Sequence, residues 1–452
     1  MCVQALMISI LNPIYEKWIS RIDQKSRELI VGFIFVLLAL YFPLCHSGCL
    51  QYLIYTETQR QIFAAIMIFG AALFSMQAPL ERVRWNKWIM VPMWLGGLGL
   101  LFTRILHPIG SGYAVFGVML LTVYPCLYFV WINRGDIERL FDIISWVNVL
   151  VGVCYIAYST ALLRVYPWEV VVAGRVRGTF YNSNLYSMIG MAIACCALYL
   201  LYRVWGQKAK QRFLLIAFVI GFIVAVAGQS RASILVVAGS VAIVLIFAAK
   251  CGRISKRIVK SVIAVCCIFV IGGGLFAVLH GGSVLPASED GSRVSVIERF
   301  IPEGKDFNSY SSGRIGIWAF YAENLNLLGN DFDLADINAR FGVGHAHNNF
   351  LEYGYRCGVI VAGVFILAGL IAGLFSLQGL FSKWKSRDYL LFCVIFVFAY
   401  FIESVVDVAT IPMERYAPYF YYLLLAGMAG RKDSGAGDLP APDSSPHELR
   451  IP

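Results

Sequence analysis

Apolar runs of membrane-crossing length recur along nearly the whole chain, and nothing else in the sequence restricts the fold as strongly. Crossing about 30 Å of hydrocarbon takes about 20 helical residues, and in lipid only a helix satisfies every backbone group within one segment. Spans are expected near Ile30–Leu44, Gln61–Ser75, Trp88–Phe102, Tyr113–Ile132, Leu140–Leu162, Leu185–Tyr202, Phe213–Ala227, Ser233–Ala249, Ile258–Leu279, Phe350–Leu377, Tyr389–Ile402 and Tyr419–Gly430, about twelve in all. Composition agrees, since 452 residues that are 59% apolar and 14% charged, with mean hydropathy +0.71, cannot coat a soluble globule with polar surface. The expected fold is all-α and polytopic, without sheet. It forms a single transmembrane domain over residues 1–430, including an outer loop at 281–349, and residues 431–452 read as a disordered cytoplasmic tail. The first run follows Lys17, Arg21, Lys25 and Arg27 and lacks a small-residue cleavage site, so it reads as a retained span.

Lysine and arginine stay on the cytoplasmic face during insertion, and here they cluster in alternate connections. The N-terminal segment, Arg82/Arg84/Lys87, Arg134/Arg139, Arg203/Lys208/Lys210/Arg212, Lys250/Arg253/Lys256/Arg257/Lys260, Lys383/Lys385/Arg387 and Arg431/Lys432 fall on one side of an even-numbered topology. That assignment explains much of the net charge of +10 by topology and attraction to anionic lipid, with no need for nucleic acid. Of the 12 cysteines most lie inside apolar spans and read as packing residues. Cys45 and Cys49 sit close together at an outer edge, where pairing and packing both stay open.

The two long connections, Leu163–Asn184 and Gly281–Asn349, face outward, and the chemistry gathers there. Arg175 and Arg177 lie in Gly-Arg-Val-Arg-Gly-Thr-Phe, Arg231 in a tight turn between two spans, and Arg314 in Ser-Ser-Gly-Arg before an aromatic stretch. Ser311 or Ser312 is placed to cap a helix at that point, and Arg314 could pair with Glu323 or Asp331. The topology rule disfavours arginines on this face, yet a guanidinium offers a permanently charged fork suited to a phosphate or diphosphate. Arg177 can equally anchor to headgroup phosphate. His345 and His347 are the clustered histidines, and a histidine beside cations can remain a neutral base. Glu352, Glu403, Asp407 and Glu414 supply carboxylates on the same face. Glu403 and Asp407, four apart, are expected to share one helix face and to balance the arginines or orient a histidine. No zinc-type spacing accompanies the histidines, and Asp331-Phe332-Asp333 lies in a loose segment, so neither metal nor cofactor is expected.

Four stretches carry a resemblance: Gly174–Asn184, Ser230–Ser233, Ser312–Trp318 and His347–Gly354. In that order they are similar to the motifs of the O-antigen ligase and Wzy-type polysaccharide polymerase superfamily, over the part of the chain from Gly174 to Gly354. The resemblance implies a metal-independent, inverting, glycosyltransferase C-like enzyme of the bacterial inner membrane, with its active site facing the periplasm. It implies an undecaprenyl-diphosphate-linked glycan as donor, a glycan acceptor and, as a further partner, a chain-length regulator. Arg231 and Arg314, with Arg175, would bind the diphosphate, and His347 would activate the acceptor hydroxyl. One departure is Asn182-Ser183-Asn184, where the family has Asn-Pro-Asn, which puts the local turn in doubt. A polymerase is favoured over a ligase onto lipid A–core. The alternative from another class is a lipid-linked sugar flippase or anionic solute transporter, whose arginines would line a pathway.

Overall fold

The computed structural model describes residues 2–45, 56–75, 78–107, 111–134, 137–165, 171–172, 175–180, 182–255, 313–331, 334–342, 344–381, 388–407, 412 and 415–432. The expected span at 258–279, Cys49, Ser311, Ser312 and Glu414, and the tail from 433 lie outside these residues.

The chain opens with α1 (Cys2–Ile14), a π turn (Tyr15–Ile19) and α2 (Gln24–Cys45), followed by α3 (Thr56–Ser75). Strand β1 (Val83–Trp85) leads into α4 (Lys87–Leu106), α5 (Ser111–Leu121), α6 (Val123–Arg134) and α7 (Ile137–Val165). The short strands β2 (Val171–Val172) and β3 (Arg175–Val176) precede α8 (Ser183–Arg203), α9 (Lys208–Ala227) and α10 (Arg231–Lys250). Beyond these come α11 (Arg314–Glu323), α12 (Leu334–Phe341), α13 (Asn349–Cys357), α14 (Val359–Phe381), α15 (Tyr389–Val406), α16 (Tyr416–Leu424) and β4 (Gly430–Lys432).

Among the described residues nine stretches are long and apolar enough to cross a membrane, a multi-pass all-α architecture. The differences from the expected spans have local causes. The apolar run at 113–132 forms one span, Gly112–Arg134, with only a turn at Thr122 near Pro125, whose N–H is missing from the ladder. The run at 350–377 is divided at Gly358, whose φ of 93° is incompatible with helix, so α13 stands apart from α14. The last run is only nine helical residues, too short for a span, and its residues are buried. Two small ladders also depart from the sheet-free expectation. In β1–β4, Arg431 and Lys432, assigned by composition to the tail, pair with Arg84 and Val83, and β2 pairs with β3.

Helix α8 is the centre of the bundle. Its spanning window is 94% buried, and it packs on α7, α9, α10, α15 and α16. Small residues allow this, because between helices in lipid close backbone approach replaces the hydrophobic drive. A methyl group on Gly190 would lie 2.5 Å from the Gly221 carbonyl of α9. At the C-terminal end of α8 an ion network ties several elements together. Arg203 meets Asp142 at 3.0 Å, Glu138 at 3.2 Å and Asp388 at 3.6 Å, and Arg253 meets Asp388 at 3.2 Å. The opposite end, where α8 and α10 begin, carries the candidate site.

Candidate functional site

Each motif of the site sits where a helix begins. Asn182 caps α8 with its side-chain oxygen on the Asn184 amide at 2.8 Å, and Ser183 takes the first helical position, where proline is tolerated. The Asn-Ser-Asn departure therefore leaves the turn intact. Ser230 caps α10, so Arg231 is that helix's first residue. Gly313, at φ 76°, starts α11, and Arg314 is its first residue, the cap falling one residue beyond the serines expected to supply it. Asn348 caps α13, its side chain accepting from the Phe350 and Leu351 amides at 3.0 Å. Arg415 is the residue before α16. Free amides and aligned peptide dipoles make such ends favourable to anions.

Arg175 has protein partners. Its guanidinium donates to the Gly228 carbonyl at 2.7 and 3.1 Å and to Asn184 Oδ1 at 2.6 Å, strapping the turn before Arg231 to the start of α8. Gly228 is required there, because a Cβ would lie 2.2 Å from Ser187 Oγ and 2.7 Å from the Ser183 carbonyl. Arg177, half-buried on the same hairpin, accepts at its carbonyl from the Phe180 amide at 3.1 Å.

The centre of the cluster is Asp407, 5% exposed. His347 Nδ1 lies 3.4 Å from Asp407 Oδ1. Arg314 donates to the carbonyl of Val406, the preceding residue. Burial holds the Arg314 guanidinium below its ordinary pKa, with the charges of Asp407 and Arg231 acting on it in opposite directions. Neither Glu323 nor Asp331 is what Arg314 meets in this way; Asp331 instead pairs with His107 at 2.9 Å. The expected shared helix face of Glu403 and Asp407 is not formed. Helix α15 ends at Val406, and Asp407 turns into extended backbone while its amide still donates to the Glu403 carbonyl at 2.8 Å. That turn frees its carboxylate to reach His347. Glu403 stays inside the bundle, fully buried, with no hydrogen-bond partner for its carboxylate among the described residues and with Arg415 as the first charge acting on it.

The loop carrying the histidines is held rigidly. The Ala346 amide donates to Glu352 Oε2 at 2.7 Å, and the Ala346 carbonyl accepts from Trp318 Nε1 at 2.9 Å. Glu352 is ion-paired with Arg356, which also donates to the Gly344 carbonyl at 3.1 Å. Asn348 Nδ2 donates to the Val405 carbonyl at 3.1 Å, and Asn349 Nδ2 to Ser404 Oγ at 3.2 Å. These bonds hold His347 at φ 50°, a left-handed conformation that costs a non-glycine residue about 1–3 kcal/mol. His345 lies against His347 with ring centroids 4.2 Å apart. Burial, then the charge of His347, pushes the His345 pKa down to about 4, with Arg415 and Arg356 adding to the shift and Asp407 opposing it.

The chain matches no known family model and no curated protein. Its chemistry is therefore read from the cluster itself. His345, His347 and Asp407 bring potential ligand atoms within 4.8 Å of one another, a set that could hold a divalent metal. The charge of Arg231 acts on Arg314, and those of Arg415 and Arg356 act on His345, so positive charge gathers around the same cluster. A dianion suits the same charges.

The site thus joins Arg231, Arg314, His345, His347 and Asp407, with Arg175 and Glu352 as supports and Glu403 buried beneath. Sequence reading missed Arg415, Arg356 and Trp318. Arg415 carried the same signal as Arg231, an arginine at the outer start of an apolar run. Trp318 and Arg356 also reach backbone carbonyls, which leave no mark on sequence, whereas the four-residue spacing of Glu352 and Arg356 does.

Proposed function

We propose that this chain is a membrane glycosyltransferase that moves a glycan from an undecaprenyl-diphosphate-linked donor to an acceptor sugar hydroxyl on the outer face. The observation that carries the reading is the double role of Asp407: it faces His347 Nδ1 at 3.4 Å and acts on the charge of Arg314. Base and cation thus share one carboxylate, as a reaction needs when a proton is removed from one partner while negative charge grows on the other. The motif resemblance points the same way.

In this reading Arg231 and Arg314, at the first positions of α10 and α11, bind the diphosphate. Arg175 acts mainly by fixing the Gly228–Arg231 turn. An Nδ1–H directed at Asp407 leaves the Nε2 lone pair of His347 to take the acceptor proton. The acceptor oxygen forms a bond to the anomeric carbon as the bond from that carbon to the phosphate oxygen breaks, and the electron pair leaves with the lipid diphosphate. Negative charge on that leaving group rises in the transition state, so preorganised arginines favour it over the ground state. Direct attack inverts the anomeric configuration. His345, neutral above about pH 4, does not add a competing positive charge beside the base.

The alternative of a flippase or anion transporter is less well supported. A conduit would have to part the network of Arg203, Asp142, Glu138, Asp388 and Arg253 at the far end of the bundle. Incubating the purified protein with lipid-linked repeat units tests the reading. Ladders of extended glycan made without any other acceptor are expected for a surface polysaccharide polymerase, the favoured form. Product formed only when lipid A–core is added would indicate a ligase. Uptake or flipping lost in His347→Ala, with glycan assembly intact, would overturn the transferase reading. The bacterial inner membrane as its location and a chain-length regulator as partner belong to the same proposal.

A further inference from the structure

Helix α1 turns a row of large apolar residues away from the bundle. Leu6, Ile10, Ile14 and Trp18, spaced by four, are 59%, 52%, 42% and 60% exposed. Met7, Ile8 and Leu11 on the other side pack against the core. In a plain α-helix a spacing of four drifts by about 40° at each step, so the row would wind off the face. Pro13 cannot donate a backbone hydrogen bond, and the helix passes into the π turn Tyr15–Ile19, closed by Ser20 N on the Tyr15 carbonyl at 2.8 Å. The wider turn takes up the drift and keeps Trp18 in line.

The helix is fixed in place by two reciprocal pairs. Asn12 Nδ2 donates to the Leu80 carbonyl at 2.9 Å while Leu80 N donates to Asn12 Oδ1 at 2.8 Å. Gln4 does the same with Val83 at 3.3 and 3.2 Å. This sets α1 beside the starts of α2 and α4, at the level where spans end. Its 13 residues reach about 20 Å, too short to cross about 30 Å of hydrocarbon. Cations gather at the Trp18 end of the row, where Lys17, Arg21 and Lys25 outnumber the exposed Glu16 and Asp23. Lys17 lies 5.2 Å from the Trp18 ring centre, and Arg21 and Lys25 are exposed just beyond it. Trp88, at the start of α4, repeats the arrangement: it is 59% exposed, with Lys87 5.5 Å from its ring centre. Tryptophans with lysines at span ends mark the membrane interface.

We propose that α1 and its π turn form an in-plane anchor for anionic lipid, with Leu6, Ile10, Ile14 and Trp18 entering the acyl boundary and Lys17, Arg21 and Lys25 holding headgroup phosphate. Apolar row and flanking cations together fit a lipid surface, where one face meets acyl chains and its edge meets negative charge. A second copy of the chain would bring the same cations against each other. The anchor is independent of the chemistry proposed at the other end of the bundle. It adds a lipid requirement: anionic lipid holds α1, and through Asn12 and Gln4 the segment from Leu80 to Val83 that leads into α4.

The full chain in lipid nanodiscs, compared with Trp18→Phe, isolates the Trp18 fluorescence as a difference signal. The other spans keep both proteins in the bilayer. That signal is expected to be quenched strongly by phosphatidylglycerol brominated near the headgroup, more weakly by equally brominated phosphatidylcholine, and little by aqueous iodide. Replacing Lys17, Arg21 and Lys25 by glutamine should erase the preference for the anionic lipid, by about five-fold in apparent affinity per cation. Quenching by iodide but not by brominated lipid would overturn the proposal. So would a signal shielded from both quenchers only in dimeric protein, which would assign the row to a second copy, or equal quenching by the two lipids in the wild type.

Discussion

Replacing Asp407 by asparagine keeps the shape of a buried side chain while removing its charge, and the structure fixes what that should do. Asp407 is 5% exposed and faces His347 Nδ1 at 3.4 Å, the long end of hydrogen-bond reach. A hydrogen bond to a charged group contributes about 1.5–3 kcal/mol, and each 1.4 kcal/mol is tenfold in rate, so kcat should fall about 10- to 100-fold. The donor KM should stay level or fall, because the carboxylate acting on Arg314 no longer competes with phosphate for that guanidinium. The assay is the initial rate of chain extension by purified protein over a range of lipid-linked donor concentrations, with thermal unfolding measured alongside. A kcat within about two-fold of wild type in folded protein, or a loss expressed only as a raised KM, would refute the reasoning.

Three further outcomes follow from the same geometry. Glu352→Gln leaves the buried Arg356 without its ion-pair partner and loosens the Ala346 amide, so melting temperature should drop, by an energy of about 3 kcal/mol. The double replacement Glu352→Gln with Arg356→Met should recover much of that stability but not the rate, and full recovery of the rate would contradict the role given to this loop. Gly228→Ala drives a methyl group into Ser187 Oγ and the Ser183 carbonyl, which should cost about 1–3 kcal/mol and raise the donor KM by displacing Arg231. An unchanged donor KM would break the link between that turn and Arg231. His345 has a folded-state pKa of about 4 against an ordinary value near 6.5, so the unfolded state binds the extra proton first. Stability is then full above about pH 6.5 and is lost as pH falls toward 4, by at most about 3 kcal/mol, and His345→Asn should flatten that acid limb in thermal scans.

The membrane architecture was legible because apolar length and backbone satisfaction leave few choices, and α8 or α10 can be read almost directly from the apolar runs around Leu185–Tyr202 and Ser233–Ala249. The interruption at Gly358 was not legible from hydropathy alone, because it divides a run whose average is apolar. The arginines and His347 stood out because charge at an outer span boundary is costly. Arg175 was legible as a site residue but not as a strap, since its partners are a carbonyl in a turn 53 residues on and the side chain of Asn184. Asp407 was read as a carboxylate able to orient a histidine, but the end of α15 at Val406, which separates it from Glu403 and turns it to His347, was not legible. Helix α1 was hidden because its 13 residues are too few to register as a span.

The central claim is that arginines bind a lipid diphosphate while His347 supplies the base. The direct measurement is a single-turnover assay on His347→Ala loaded with lipid-linked donor, with bound donor quantified in the same sample. The expected result is donor binding close to wild type, no glycosidic bond formed and no lipid diphosphate released, while the wild type releases one lipid diphosphate for each bond of inverted configuration. Turnover by His347→Ala at the wild-type rate would contradict the account.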